Sequence, residues 1–270
     1  MVSHLVPLAV DYTATHGGRW TTLSGGGREW LWQRPDPARD AVRPGDPFVD
    51  AGGLEECLPT VRGRPDHGDV WSRPWHAVGP GTIAVERPSF VLTRRITNHA
   101  GVVVADYRLA AEPGHRFIWA AHALLDLSPA ARLHAPAGTR TRLYLDPDPP
   151  SEGPWPAPAG VPLDRLGPDD GTAIGAVLLD CPRAGVTDGA DRLTLELQCD
   201  GQPRSTALWR NLRGWPAPEP YRSIGVEPML GAAFDLADAG PDDAAVVPAA
   251  GELTWRLTVS AHRLAQGDTR

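Results

Sequence analysis

The chain has 270 residues, 41% of them apolar, and a formal charge of −7; this suffices for a sizeable core and, with no basic run to offset the acidic excess, argues against a nucleic-acid partner. All 26 basic residues are arginine, and a chain without lysine can form no lysine Schiff base and no standard Walker loop, which excludes lysine-dependent aldolases and pyridoxal-phosphate enzymes. Cys57, Cys181 and Cys199 form no CxxC pair, so a thiolate zinc site and a disulfide framework are disfavoured and a cytoplasmic location is expected.

The apolar run from Leu5 to Val10 is short and lacks a basic flank, so neither a signal peptide nor a membrane span is read there. Glycine and proline, 29 residues each, punctuate the chain too densely for long helices and suit strands joined by turns. Strands are predicted over Phe90 to Thr97 and Val102 to Leu109, with Asn98-His99-Ala100-Gly101 as the hairpin turn between them. Further strands are predicted over Arg116 to His122, Leu193 to Leu197 and Ser205 to Arg210. Pro147 to Pro162 and Ala237 to Gly251 read as irregular surface loops. The cleanest alternation comes last: Leu253, Trp255, Leu257, Val259 and Ala261 share one face, with polar residues between them. With no helical period and no internal repeat, the expected architecture is all-β, a large antiparallel β-sandwich forming one domain over 1–270.

Three phrases carry proton-transfer side chains. In Pro65-Asp66-His67-Gly68-Asp69-Val70-Trp71-Ser72-Arg73-Pro74-Trp75, an extended backbone would set His67, Asp69, Trp71, Arg73 and Trp75 on one face. Indoles to cover ring C–H faces and polar groups to bind hydroxyls make a sugar surface; a structural cluster on a sandwich rim is the alternative. In Phe117-Ile118-Trp119-Ala120-Ala121-His122, the histidine ends an apolar strand, where it is either a satisfied core residue or an acid. In Ser223-Ile224-Gly225-Val226-Glu227-Pro228, the glutamate is either paired with an arginine such as Arg222 or poised as a base. Two histidines and one carboxylate suffice for acid–base chemistry on a neutral polyhydroxy substrate.

These phrases, in this order, resemble the galactose mutarotase-like family, which includes the aldose 1-epimerases. Ile224-Gly225-Val226-Glu227-Pro228 is the most specific match. Gly17-Gly18-Arg19-Trp20, Gly27-Arg28-Glu29-Trp30-Leu31, the segment from Gly52 to Thr60, and Trp209-Arg210-Asn211 extend the resemblance over most of the chain. The resemblance implies a mutarotase-type supersandwich, with His122 as general acid and Glu227 as general base. It also implies that His67, Arg73, Trp71, Trp75 and Trp209 bind a small-molecule sugar, and that no cofactor or metal is needed. Neither a nucleic-acid nor a membrane partner is expected, and the chain is expected to act as a monomer or homodimer. The family's hydroxyl-binding aspartate has no convincing copy, although Asp164, Asp170 and Asp180 fall in its interval. Arg62, Arg64 and Arg73 crowd the first histidine, so a hexose-6-phosphate 1-epimerase is the alternative, as is a non-catalytic carbohydrate-binding protein. A glycosidase using Glu55 or Glu56 with Glu227, and a metal held by His67, His76 and Asp69, are more distant readings.

Overall fold

The computed structural model describes residues 3–145 and 149–265. Among these, two large antiparallel sheets dominate. The first has Glu252–Leu264 near its middle, flanked by Asp191–Gln198 on one side and Val102–Ala111 on the other, with Phe90–His99 next. The second runs in the order Ser151–Pro154, Arg140–Tyr144, Ala173–Leu178, Arg204–Leu212, Arg222–Leu230, Trp119–Leu125, Leu54–Cys57, Trp20–Gly25, Ala9–Tyr12. The fold is therefore the expected antiparallel β-sandwich.

The alternation read from the sequence is realised in Glu252–Leu264, where Leu253, Trp255, Leu257, Val259 and Ala261 are buried in the core between the sheets. The hairpin closes at Ala100 and Gly101, both with positive φ, and His99 pairs with Val102. Such a two-residue turn matches the right-handed twist of its strands.

Other expectations change. The segment Arg116 to His122 is two strands: Arg116–Phe117 pairs with Ala245–Val246, and Trp119–Leu125 enters the second sheet. His122 therefore lies within a strand rather than at its end. Pro147 to Pro162 is not wholly irregular, because Ser151–Pro154 pairs with Arg140–Tyr144 and a 3-10 turn follows at Pro158–Gly160; residues 146–148 lie outside the described residues. The short N-terminal segment Ser3–Val6 pairs with Glu252–Leu264.

All seven residues of Trp119–Leu125 are buried, as befits a strand covered on both faces. Trp119, Ala121, Ala123 and Leu125 join the core between the sheets. Ile118 and Ala120 face the other way, into a smaller cluster with Cys57, Val177, Ala207, Met229 and Phe234. His122 shares the side of Ala120 by the two-residue period of a strand. The candidate site therefore lies on the outer face of the second sheet.

Candidate functional site

The register that pairs Ala120 with Met229 and Leu124 with Gly225 sets His122 directly opposite Glu227. His122 Nδ1 lies 3.0 Å from Glu227 Oε1, and the side chains are 9% and 2% exposed. The contact is ionic and too poorly aligned to count as a hydrogen bond, and Glu227 Oε2 is buried without a protein partner. On its other side His122 is paired in register with Glu55, whose two oxygens accept from Arg39 Nε at 2.9 Å and Nη2 at 3.0 Å. Arg39 is delivered by the short helix Pro37–Ala41, capped by Asp36.

The local sequence shapes the floor. A Cβ on Gly225 would lie 2.2 Å from Glu227 Oε1 and 3.0 Å from Trp209 Cβ. Glycine two residues before the glutamate is thus what lets the carboxylate lie back along its own strand. Trp209 is paired with Gly225 across the sheet and donates from Nε1 to Ser223 Oγ at 3.2 Å.

His67 arrives on a loop. Its φ is +58°, and Gly68 follows at +77° with its Cα so close to Leu58 that a Cβ would lie 2.2 Å from the carbonyl oxygen. The two left-handed residues turn the imidazole over the sheet, where it stacks on Phe48 with ring centroids 3.6 Å apart and planes 8° apart. Its centroid is 4.9 Å from that of His122, at 74°. Its Nδ1 is 3.2 Å from Asp66 Oδ1.

His67, Phe48, Asp66, His122, Glu227 and Trp209 line a cavity of about 480 Å³ together with Asp50, Arg62, Tyr144, Trp215 and Phe234, within the range of roughly 300–1,000 Å³ usual for small-molecule sites. A larger, shallower depression lies across the first sheet, lined by Thr93, Arg95, Asp106 and Arg256. Two of its arginines are paired, Arg108 with Glu252 and Arg256 with Asp106, and no histidine lines it.

The electrostatics divide the two histidines. Burial disfavours the charged form of His122, but the Glu227 carboxylate beside it outweighs burial and raises its pKa to about 9, with Asp50 and Glu55 adding to the pull. His122 is therefore an imidazolium at neutral pH. Burial lowers the pKa of His67, opposed by Asp66, with positive His122 also lowering it. Burial raises Glu55 to about 7 against the pull of Arg39 and Arg19.

Of the sequence-predicted residues, His67, His122, Glu227 and Trp209 meet in this cavity. Trp71, Trp75 and Arg73 do not. Residues 67–75 are turns and bends rather than an extended run, so the shared face never forms. Trp71 is 1% and Trp75 3% exposed, and their indoles cover buried guanidinium groups, Arg39 for Trp71 and Arg94 for Trp75. Arg73 is held by Asp69, which also takes Arg87. Arg222 pairs with Asp169 and not with Glu227. Asp164, Asp170 and Asp180 do not line the cavity. The aspartates that do are Asp50, which accepts from Tyr221 Oη at 2.6 Å, and Asp66. Glu56 points into the sandwich, bound to Arg94, Tyr107 and Trp119, which removes it as a glycosidase carboxylate. Asp69 is committed to arginines, and His76 sits 3.8 Å from Glu86 on an exposed strand, so neither joins His67.

Sequence reasoning missed Phe48, Asp50, Tyr144, Trp215 and Phe234. They come from loops and strands far apart in the chain, and no local pattern marks them.

No protein-family model matches the sequence, and no curated protein sequence matches it. Solved structures do match in shape. A protein provisionally named aldose 1-epimerase from Escherichia coli K12 superposes with a TM-score of 0.70 at 14% identity, covering 96% of this chain and 100% of the other. A galactose mutarotase-like protein from Lactobacillus casei gives 0.66 at 15% identity over 97% and 100%. A galactose mutarotase related enzyme from Lactobacillus acidophilus gives 0.65 at 12% identity over 98% and 99%. The chain has the galactose mutarotase-like fold. No helix among the described residues is long and apolar enough to cross a membrane.

Proposed function

We propose that this protein is an aldose 1-epimerase that interconverts the α and β anomers of an aldose, acting as one domain in the cytoplasm, where its three free, buried thiols suit a reducing environment. The observation that carries the reading is the His122–Glu227 pair at the floor of the cavity, with one carboxylate oxygen left unpartnered. The Glu227 carboxylate takes the proton of the anomeric hydroxyl. His122, held charged by Glu227, gives a proton to the ring oxygen; its Nδ1 is turned to Glu227, so Nε2 is the donor. The ring opens, the C1–C2 bond rotates, and closure on the other carbonyl face reverses both transfers. Neutral His67, backed by Phe48, and Trp209 hold the sugar ring. Mutarotation proceeds unaided in water, and a positioned acid and base contributing roughly 10²–10⁴-fold each meets the demand.

The test is polarimetry of freshly dissolved α-D-glucose and α-D-galactose. Accelerated decay by wild type that vanishes in Glu227→Gln supports the reading. Normal mutarotation by the variant overturns the assignment of Glu227. A hexose-6-phosphate 1-epimerase is the second reading, favoured by Arg62 on the cavity wall. It predicts acceleration on hexose 6-phosphates but not on free hexoses, and loss of affinity in Arg62→Ala. Binding without exchange of either would indicate a carbohydrate-binding protein.

A further inference from the structure

Trp215 stands apart from the other tryptophans. It is 46% exposed and lies on the lip of the cavity whose floor is His122 and Glu227. Burying an indole is favourable by roughly 25 cal/mol per Å² of apolar area, so a half-exposed one beside a cavity forgoes that gain unless something covers it. The backbone that carries the ring is firmly held. Asn211, 0% exposed, donates from Nδ2 to Trp215 O at 2.8 Å and accepts at Oδ1 from the backbone N–H of Trp215 at 3.1 Å and of Gly214 at 3.0 Å. The indole meets Trp209 edge-on at 6.1 Å on its inner side and Tyr221 edge-on at 6.1 Å on the other. Tyr221 is itself fixed by its hydrogen bond to Asp50 and by stacking on Trp32 at 5.4 Å. A buried amide thus anchors the backbone that presents this indole, and the uncovered aromatic surface begins at Trp209, beside Gly225 in the register, and leads outward from the catalytic floor.

We propose that Trp215 forms a second subsite, which takes a glycosyl ring attached to the reducing sugar, so that the preferred substrate is a reducing disaccharide or longer saccharide. The inference rests on the epimerase reading for its orientation. Ring opening requires the reducing unit to lie at His122 and Glu227, which directs its substituent toward the open lip. An aromatic face with nearby hydroxyl and carboxylate edges, here Tyr221 and Asp50, fits the alternating C–H and hydroxyl surfaces of a neutral sugar ring.

The experiment compares anomer exchange on D-glucose with that on maltose and cellobiose, for wild type and Trp215→Ala, by magnetization-transfer NMR. The expected result is a higher kcat/KM for at least one disaccharide. The Trp215→Ala protein should lose about tenfold more on that disaccharide than on glucose, through KM, as befits one aromatic contact. Equal kcat/KM for all three sugars, or an equal loss on glucose and disaccharide in the variant, would overturn it. Should wild type exchange none of them, the epimerase reading fails separately, and the subsite is then judged by tryptophan fluorescence titration with the same sugars. Tighter binding of a disaccharide that is lost in Trp215→Ala supports the subsite, and equal binding of all three or none refutes it.

Discussion

Glu56 and Glu227 are both buried carboxylates on the two strands of the second sheet that flank Trp119–Leu125, and each faces a cation, yet they are built for opposite ends. Glu56 points into the sandwich, and both its oxygens are occupied, Oε1 by Arg94 at 2.6 Å and Tyr107 at 2.9 Å, Oε2 by Trp119 at 2.8 Å. Glu227 points outward, meets a histidine that can give up its proton, and keeps one oxygen unpartnered. A fully satisfied buried charge is fixed in place and inert; a half-satisfied one at a cavity floor retains capacity for a substrate. The cation matters equally, since Arg94 cannot deprotonate and His122 can.

Breaking each carboxylate should separate chemistry from stability. The largest expected effect is on rate: Glu227→Gln should slow anomer exchange by about 10²–10⁴-fold. Circular dichroism should show the fold retained, because His122 can become neutral when its partner goes. Glu56→Ala strands Arg94 and should cost about 3–5 kcal/mol in urea denaturation. A rate loss in Glu56→Ala larger than in Glu227→Gln, measured on folded protein, would dissolve the contrast. Gly225→Ala comes next. It leaves both carboxylates in the chain but pushes Glu227 off its position, and a displacement near 1 Å should lower kcat by up to about 10²-fold.

The pH dependence sharpens the same contrast. His122 has its folded pKa raised to about 9 above an ordinary value near 6.5. Its contribution to stability is therefore full below about pH 6.5 and is lost as pH rises through about 9. Activity that needs the imidazolium should fall over the same upper range. In Glu227→Gln, where burial is opposed only by Asp50 and Glu55, NMR titration should find His122 well below about 9; an unchanged value near 9 would show that Glu227 is not what holds the charge. The smallest effect is expected for Phe48→Ala, which removes the ring stacked on His67 and should raise KM several-fold, as for loss of about 0.5–1.5 kcal/mol of aromatic contact.

Alternation and turn chemistry made the sandwich legible, because residues such as Leu253 to Ala261 and Ala100-Gly101 act locally. His67, His122, Glu227 and Trp209 were legible as candidates from their short neighbourhoods. The errors at Trp71, Arg73 and Trp75 have one origin. A period-two reading holds only while the backbone stays extended, and left-handed His67 and Gly68 start a turn there. The indoles then serve Arg39 and Arg94, partners more than twenty and nearly twenty residues away in the chain, which no local pattern names. Asp50 was illegible for the same reason, since Tyr221, far along the chain, ties it to the cavity.

The sheet order has a kinetic consequence. Trp119–Leu125 pairs with Leu54–Cys57 on one edge and with Arg222–Leu230 on the other, so His122 and Glu227 face each other where an early part of the chain is joined to a late one. The strand pair carrying Trp209 and Glu227 is nearly contiguous and can form early, whereas the junction with the His122 strand closes a loop of about a hundred residues and should be slow. During refolding, catalysis should therefore return after most of the β-structure does, and its recovery would time the moment at which the two halves of the molecule become one sheet.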